Sequence, residues 1–113
     1  MNSDEVEVSW LIDWPKISRY LLDLTSKRGA SKAKYLMRFG FTPDDPLTLA
    51  NALAEHVARN LPGVQSISAR GVLLVVFEGE VTAPDGREIP LRTVWEPREP
   101  RQMHFVTAVP LAR

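Results

Sequence analysis

The segment GVLLVVFEGEVTAPDGREIPLRTVWE, residues 71–96, decides the fold. Its residues 72–77 are all apolar, which suits a central strand that is covered on both faces. Further along, Pro84 fixes its own φ, Asp85 can hydrogen-bond locally, and Gly86 can adopt a positive φ. We therefore predict two antiparallel strands joined by a hairpin that turns at Asp85 and Gly86.

Periodic patterns continue on both sides of this hairpin. Period-two alternation predicts further strands in VQSISAR, residues 64–70, and in QMHFVTAVPL, residues 102–111. Before Gly63 the apolar residues recur with helical spacing instead. The expected helices begin after Asp13, run from Ser31 to Gly40, and run from Asp45 to Leu61. The expected fold class is α+β, with about three N-terminal helices followed by a roughly four-stranded antiparallel sheet.

The chain is short enough for a single hydrophobic core. It has 113 residues, of which 44% are hydrophobic and 25% are charged, as in an ordinary globular domain. We assign residues 13–113 to one α+β domain and residues 1–12 to a leader that is packed on the domain or loosely attached to it. Trp10, Leu11 and Trp14 are too apolar to be left in water, so we expect them to pack on the domain.

Composition excludes several kinds of site. The chain has no cysteine, so disulfides, zinc ribbons and thiol nucleophiles are excluded. Its 2 histidines, His56 and His104, show no metal-binding spacing, and we expect neither a metal nor another cofactor. The apolar run 72–77 is too short to span a membrane, and the acidic start does not resemble a signal peptide. We expect a cytoplasmic protein with no membrane contact.

The formal net charge is zero, so any attraction to nucleic acid has to come from a local patch. Residues 27–38 provide one, because they contain several cations and no acid. On a helical wheel Lys34 and Arg38 face water, whereas Lys32 shares the apolar stripe and opposes the helix dipole. Two interpretations of Lys32 remain open: an apolar stem with a hydrated ammonium, or a contact to a phosphate or carboxylate at a site. Lys34 is either part of a solvated helix face or a substrate contact.

Strand alternation suggests further candidate residues on the third and fourth predicted strands. Trp95 shares a face with Thr93, and Thr107 shares a face with Phe105, with His104 on the opposite face. The sequence does not decide which face meets the helices. If the face of Trp95 is open, its ring would stack a nucleobase; otherwise it belongs to the core.

Two more side chains could do chemistry on a phosphate. His104 could act as an acid or base because the ordinary histidine pKa is about 6.5, or it could be merely structural. Arg92 could stabilise charge on a phosphate, or it could form a cross-strand ion pair.

Three stretches of the chain resemble a bacterial family of unknown function. They are KISRYLLDLTSKRGASKAKYLMRFGFTPDD, RTVWE and FVTAVP, in the order and at the separations of the family motifs KAxFFxxxGFT, TVW and FVTAxP. Members of that family occur as free-standing proteins and as C-terminal tips of polymorphic toxins. Such tips often have the metal-independent RNase superfold of barnase, EndoU, colicin nucleases and RelE-type toxins. The resemblance therefore implies N-terminal helices followed by a four-stranded antiparallel sheet, together with ribonuclease activity.

The resemblance also implies particular residues and partners. The family's lysine falls on Lys32 and its threonine on Thr107, whereas His104 stands where the family has an arginine. We predict a toxin-like, metal-independent endoribonuclease that acts on RNA and is held inactive by a small cognate antitoxin or immunity protein. The candidate catalytic residues are Lys32, His104 and Thr107, and the candidate substrate contacts are Arg92, Trp95 and Lys34. The alternative is a non-catalytic protein- or RNA-binding module of the same fold.

Overall fold

The computed structural model describes residues 8–12 and 30–111 of the chain. Two helices and five strands occur in these residues. In chain order they are β1 (Ser9–Leu11), α1 (Ala30–Arg38), α2 (Pro46–Arg59), β2 (Val64–Ile67), β3 (Leu73–Thr82), β4 (Glu88–Arg98) and β5 (Gln102–Pro110). The strands form one sheet in the order β1-β5-β4-β3-β2.

The predicted fold class was wrong about the sheet and about the number of helices. The sheet has five strands and is mixed, because β1 runs parallel to β5 while the other neighbours are antiparallel. The additional strand lies in the segment that the sequence assigned to a leader, where three residues carry too little alternation to predict a strand. The described residues contain two helices rather than about three, and the helix expected after Asp13 lies outside them.

The hairpin between β3 and β4 is confirmed. The two strands pair antiparallel, and the chain turns through Gly86, whose φ is 90°. The Gly86 N–H donates to the carbonyl of Ala83 at 2.9 Å, and the Arg87 N–H donates to Oδ1 of Asp85, also at 2.9 Å. Asp85 and Gly86 therefore have the turn roles that their residue types predict.

The start of α2 and the end of α1 also follow their sequence signals. Asp45 caps α2, accepting hydrogen bonds from the Thr48 N–H at 3.4 Å and from the Thr48 hydroxyl at 2.6 Å. Pro46 occupies the first helical position. α1 is followed by Gly40 with a φ of 107°, as expected for a helix that ends in a left-handed residue.

The core lies between the helices and one face of the sheet. That face is the one that carries Thr93 and Trp95, both completely buried, so the question that the sequence left open is settled. The buried helix residues recur at helical spacing and the buried strand residues alternate. They are Ala33, Leu36, Leu49, Leu53 and Val57 from the helices, and Phe77, Val81, Ile89, Leu91, Trp95, Phe105 and Ala108 from the sheet.

Trp10 connects β1 to this core. Its ring packs edge-on against Phe77 and Trp95, with centroid distances of 5.9 Å and 5.2 Å. The prediction of packing on the domain is therefore confirmed for Trp10 and wrong for Leu11, which is exposed. Trp14 lies outside the described residues. Aromatic pairs in this arrangement add stabilisation beyond the burial of their area, and so they help to hold a short edge strand in place.

The C-terminal half of α2 approaches β3 closely around a buried histidine. His56 is completely buried, and its Nε2 and Nδ1 lie 3.3 Å and 3.4 Å from the carbonyl oxygens of Phe77 and Glu80. A neutral imidazole can donate only one of these hydrogen bonds. Burial lowers the pKa of His56 below its ordinary value, and the two carbonyl contacts oppose that shift without reversing it.

This lowered pKa predicts a pH-dependent stability. As the pH falls below about 6.5, the unfolded chain takes up a proton at His56 that the folded chain does not, so the free energy of unfolding should decrease. The slope contributed by one histidine is at most about 1.4 kcal/mol per pH unit. Urea unfolding of the wild type and of His56→Gln at a series of pH values between neutral and mildly acidic tests this expectation. The decrease should be absent from His56→Gln and present in His104→Gln; a wild type that gains stability on acidification would contradict it.

Candidate active site

A helix and a strand that are distant in sequence bring Lys32 and Thr107 together. Lys32 lies on α1 and is partly buried, and its Nζ donates a hydrogen bond of 3.0 Å to Oγ1 of Thr107 on β5. Lys34 and Arg38, on the same helix, are exposed. The placement that the helical wheel predicted for these three cations is therefore confirmed: one ammonium at the sheet and two cations facing water.

A register shift between β4 and β5 decides which side chains accompany this pair. Phe105 lies opposite Trp95, but Thr107 lies opposite Val94, so β5 has one more residue than β4 across this point. Such an irregularity interrupts the alternation of side chains, and it is common beside functional sites.

His104 is not brought next to the pair of Lys32 and Thr107. His104 lies opposite Glu96, on the face of the sheet away from the core. Lys32 belongs to α1, whose Ala33 and Leu36 are buried on the core face, and its hydrogen bond holds the Thr107 hydroxyl on the side of that helix.

His104 is held by two neighbours on the sheet. Its Nε2 lies 2.9 Å from Oε1 of Gln102, and its Nδ1 lies 3.3 Å from Nη1 of Arg98. A neutral ring that carries its proton on Nε2 satisfies both contacts, donating to Gln102 and accepting from Arg98. Arg98 is in turn paired with Glu96, whose Oε1 lies 2.5 Å from the Arg98 Nε. A guanidinium is therefore placed beside the histidine from the neighbouring strand.

Arg92 is on the sheet face away from the core, where it makes a cross-strand ion pair. Its Nε and Nη2 both lie 2.5 Å from Oε2 of Glu78 on β3. The guanidinium lines a cleft of about 720 Å³ beside β2, together with Asn60 and Gln65. Of the two fates that the sequence allowed for Arg92, the structure has the ion pair, and a phosphate contact stays a prediction.

Trp95 belongs to the core rather than to an open surface. It is completely buried, its ring packs against Phe105 at a centroid distance of 5.3 Å, and its indole N–H donates to Oγ1 of Thr93 at 3.0 Å. Burial leaves the ring no exposed surface on which a nucleobase could stack. We therefore leave Trp95 out of the proposed substrate contacts.

The sequence interpretation missed Arg98, Gln102 and Glu96 as neighbours of His104. Their spacing offered one signal, because residues 96, 98, 102 and 104 alternate on either side of a short turn. Within residues 8–12 and 30–111, no three side chains of the His, Cys, Asp and Glu types cluster closely enough to hold a metal ion. The helices in this part of the chain are too short or too polar to cross a membrane.

Comparisons with known proteins identify a structure with a similar fold and a family that matches the sequence. A chain in the solved structure of a contact-dependent growth inhibition toxin and immunity protein complex from Klebsiella pneumoniae 342 is similar, with a TM-score of 0.69 and 15% sequence identity. The alignment covers 88% of this chain and 98% of that chain, and it shows a shared fold. Curated protein sequences include no match. Residues 4–112 match the family described as Domain of unknown function (DUF6883), and the chain belongs to that family.

Proposed function

We propose that this member of the DUF6883 family is a toxin-like, metal-independent endoribonuclease that is paired with a small inhibitory protein. The observation that carries the proposal is the hydrogen bond of 3.0 Å between Lys32 and Thr107. It joins a cation on an apolar helix stripe to a hydroxyl on the sheet, beside a register shift. The fold shared with a chain from a toxin and immunity protein complex supports a role in such a pair.

Lys32 and Thr107 form a unit that suits a phosphate. The Lys32 ammonium donates to Oγ1 of Thr107, which orients the hydroxyl so that its own hydrogen can donate to a phosphate oxygen. Hydrogen bonds arranged in such a chain strengthen one another. The ammonium also opposes the negative charge that develops on the phosphoryl oxygens in the transition state, which is the usual main contribution of an enzyme to phosphate chemistry.

The reaction that suits this unit is attack by the RNA 2′-hydroxyl on the adjacent phosphate. The 2′-oxygen bonds to phosphorus, the bond from phosphorus to the 5′-oxygen breaks, and the products are a 2′,3′-cyclic phosphate and a 5′-hydroxyl. A base takes the proton from the 2′-hydroxyl, and an acid supplies a proton to the leaving 5′-oxygen. We assign proton transfer to His104 or Lys32, with Lys32 also as a phosphate contact and Thr107 as the donor to a phosphate oxygen. RNA is the substrate because only RNA carries the 2′-hydroxyl nucleophile.

His104 would exchange a proton with substrate through Nε2 once Gln102 is displaced. To act as the base there, the ring must carry its proton on Nδ1, which requires the Arg98 guanidinium to turn away from that nitrogen. Lys34 is exposed on the same helix as Lys32 and would contact a neighbouring phosphate. Arg92 would do the same if its ion pair with Glu78 opens.

A second candidate function is a non-catalytic binding module, and an apolar surface at β2 favours it. β2 is the outermost strand at one end of the described sheet, and all four of its residues are exposed. An outermost strand can accept a strand from another protein. Large exposed apolar side chains cluster on this strand and beside it, namely Leu61, Val64, Ile67, Val72 and Leu73. Either the partner of a binding module or the inhibitor of a toxin could bind this surface. The two candidate functions are therefore distinguished by whether the protein cleaves RNA.

The experiment that tests the proposal uses the purified protein and a mixed RNA pool in the presence of EDTA. We expect cleavage to fragments that end in 2′,3′-cyclic phosphates. In bacteria that carry the gene under a tightly repressed promoter and lack the partner, we expect induction of the protein to slow growth. The matched variants Lys32→Ala, His104→Ala and Thr107→Ala should cut less and be less harmful. If the wild type and all three variants are equally harmless, and none cuts the pool, the ribonuclease proposal fails and the binding module replaces it.

A further inference from the structure

A second cleft lies between the end of α1 and the hairpin turn. It has a volume of about 490 Å³, and its walls include Tyr35 from α1, Phe39 directly after α1, Arg87 from the turn and Leu111 after β5. Tyr35 lies three residues after Lys32 on α1, about 4.5 Å further along the helix axis. Residues at this spacing are neighbours on the helix surface, so the cleft borders the side of α1 that carries Lys32.

The two walls of this cleft are fixed to each other. The Asp85 N–H donates to the carbonyl of Phe39 at 3.3 Å, which ties the hairpin turn to the end of α1. Gly40 allows this close approach: its φ is 107°, and a Cβ at this position would lie 3.1 Å from Cβ of Pro84. The relative positions of Phe39 and Arg87 are thus set by the backbone.

Arg87 presents a flat cationic surface in the cleft. Its guanidinium carbon lies 4.4 Å from the centroid of the Phe39 ring, and its Nε and Nη2 lie 2.7 Å and 2.6 Å from Oδ2 of Asp85. The aromatic ring supports one face and the carboxylate holds the edge, while 59% of the side chain remains exposed. Tyr35 adds a second ring, with its centroid 5.1 Å from that of Phe39. A guanidinium held in this way loses little freedom when a ligand stacks on it.

Cations on the neighbouring helix favour an anionic backbone beside the cleft, whereas in the cleft itself Arg87 is paired with Asp85. α1 carries Lys32, Lys34 and Arg38, and residues 30–38 contain no acid. Glu88 also lines the cleft, but its carboxylate is engaged by Thr82 at 2.8 Å and by Arg59 at 3.3 Å. Proteins bind single-stranded RNA by combining a cationic path for the backbone with rings or guanidinium planes on which bases stack.

We propose that this cleft binds one nucleobase of single-stranded RNA, stacked on the outer face of the Arg87 guanidinium, next to the phosphate held at Lys32. This inference rests on the proposed function, since RNA is taken as the ligand. It assigns the stacking role to Arg87, supported by Phe39, and it places the base on the α1 side of the molecule. Specificity for the nucleotide beside the cut would then depend on the cleft walls at Tyr35 and Leu111.

The test compares two probes of equal length and charge. One is a short fluorescein-labelled 2′-O-methyl oligonucleotide, which cannot be cut by 2′-hydroxyl attack, and the other is the same backbone without bases. By fluorescence anisotropy the wild type should bind the first probe roughly 5- to 150-fold more tightly, as expected for one stacked base. Arg87→Lys keeps the charge, so its affinity for the abasic probe should stay within about twofold while its preference for bases falls severalfold.

Arg70→Lys, an exposed arginine in the turn between β2 and β3, is the matched control and should leave both affinities unchanged. Thermal unfolding of each variant checks that the fold is intact. A wild type without preference for bases, or an Arg87→Lys variant with unchanged preference, overturns the inference. If the protein prefers bases but does not cleave RNA, the cleft proposal stands and the ribonuclease proposal fails. If the protein cleaves RNA but Arg87→Lys does not change its preference for bases, the ribonuclease proposal stands and the cleft proposal fails.

Discussion

Lys32→Met is expected to slow RNA cleavage on the order of 10²- to 10⁴-fold while leaving the fold as stable as the wild type or more so. The activity should fall because methionine neither opposes charge on the phosphate nor donates the hydrogen bond of 3.0 Å to Thr107. Stability should be retained because the substitution removes a cation from an apolar helix stripe near the positive end of the helix dipole.

Cleavage rates and urea unfolding measured on the same preparations test both parts of this expectation. Arg70→Met removes the same charge from an exposed position distant in sequence, and it should cut RNA at the wild-type rate. Thr107→Ser, which keeps the hydroxyl, should retain most of the activity, whereas Thr107→Val should lose it. Full activity in Lys32→Met would remove the proposed role of this lysine.

Trp95→Ala is expected to lower the free energy of unfolding by about 3–5 kcal/mol. Trp95 is completely buried, and its ring contacts those of Trp10 and Phe105 edge-on. Its indole N–H also donates to Oγ1 of Thr93 at 3.0 Å, so truncation leaves a buried hydroxyl short of one partner. A loss of this size is a large part of the roughly 5–15 kcal/mol that stabilises a small domain.

Urea or thermal unfolding measures this loss, and Trp95→Phe provides the matched comparison. Phenylalanine keeps most of the buried volume, so Trp95→Phe should be destabilised less and should bind RNA as the wild type does. A stable Trp95→Phe variant that no longer binds RNA would support the prediction from sequence that the Trp95 ring stacks a nucleobase. A Trp95→Ala variant as stable as the wild type would contradict the core assignment.

Local signals in the sequence were sufficient for several elements. The turn at Asp85 and Gly86 and the cap of α2 at Asp45 depend on contacts within a few residues, which residue type alone can indicate. The odd position of Lys32 was visible from its place on the helix stripe. Thr107 was indicated as a candidate through the family resemblance, but its hydrogen bond to Lys32 was not predicted.

The features that the sequence did not indicate depend on contacts between distant segments. β1 is three residues long and pairs with the last strand of the chain, so no local pattern marks it. The register shift at Val94 and Trp95 interrupts the alternation of β5 just before Thr107, and alternation counted along one strand cannot reveal it. For the same reason, the cation–π contact between Phe39 and Arg87 follows only from the docking of the hairpin turn on α1.

The most direct test of the proposed chemistry is a comparison of two oligoribonucleotides in EDTA, identical except for a single 2′-deoxy nucleotide at the mapped cut site. Without the 2′-hydroxyl there is no nucleophile, so wild-type protein should cut the all-ribose strand to a 2′,3′-cyclic phosphate and leave the modified strand intact at that position. Cleavage of both strands at the same rate, or of neither, would contradict a ribonuclease built on Lys32 and Thr107.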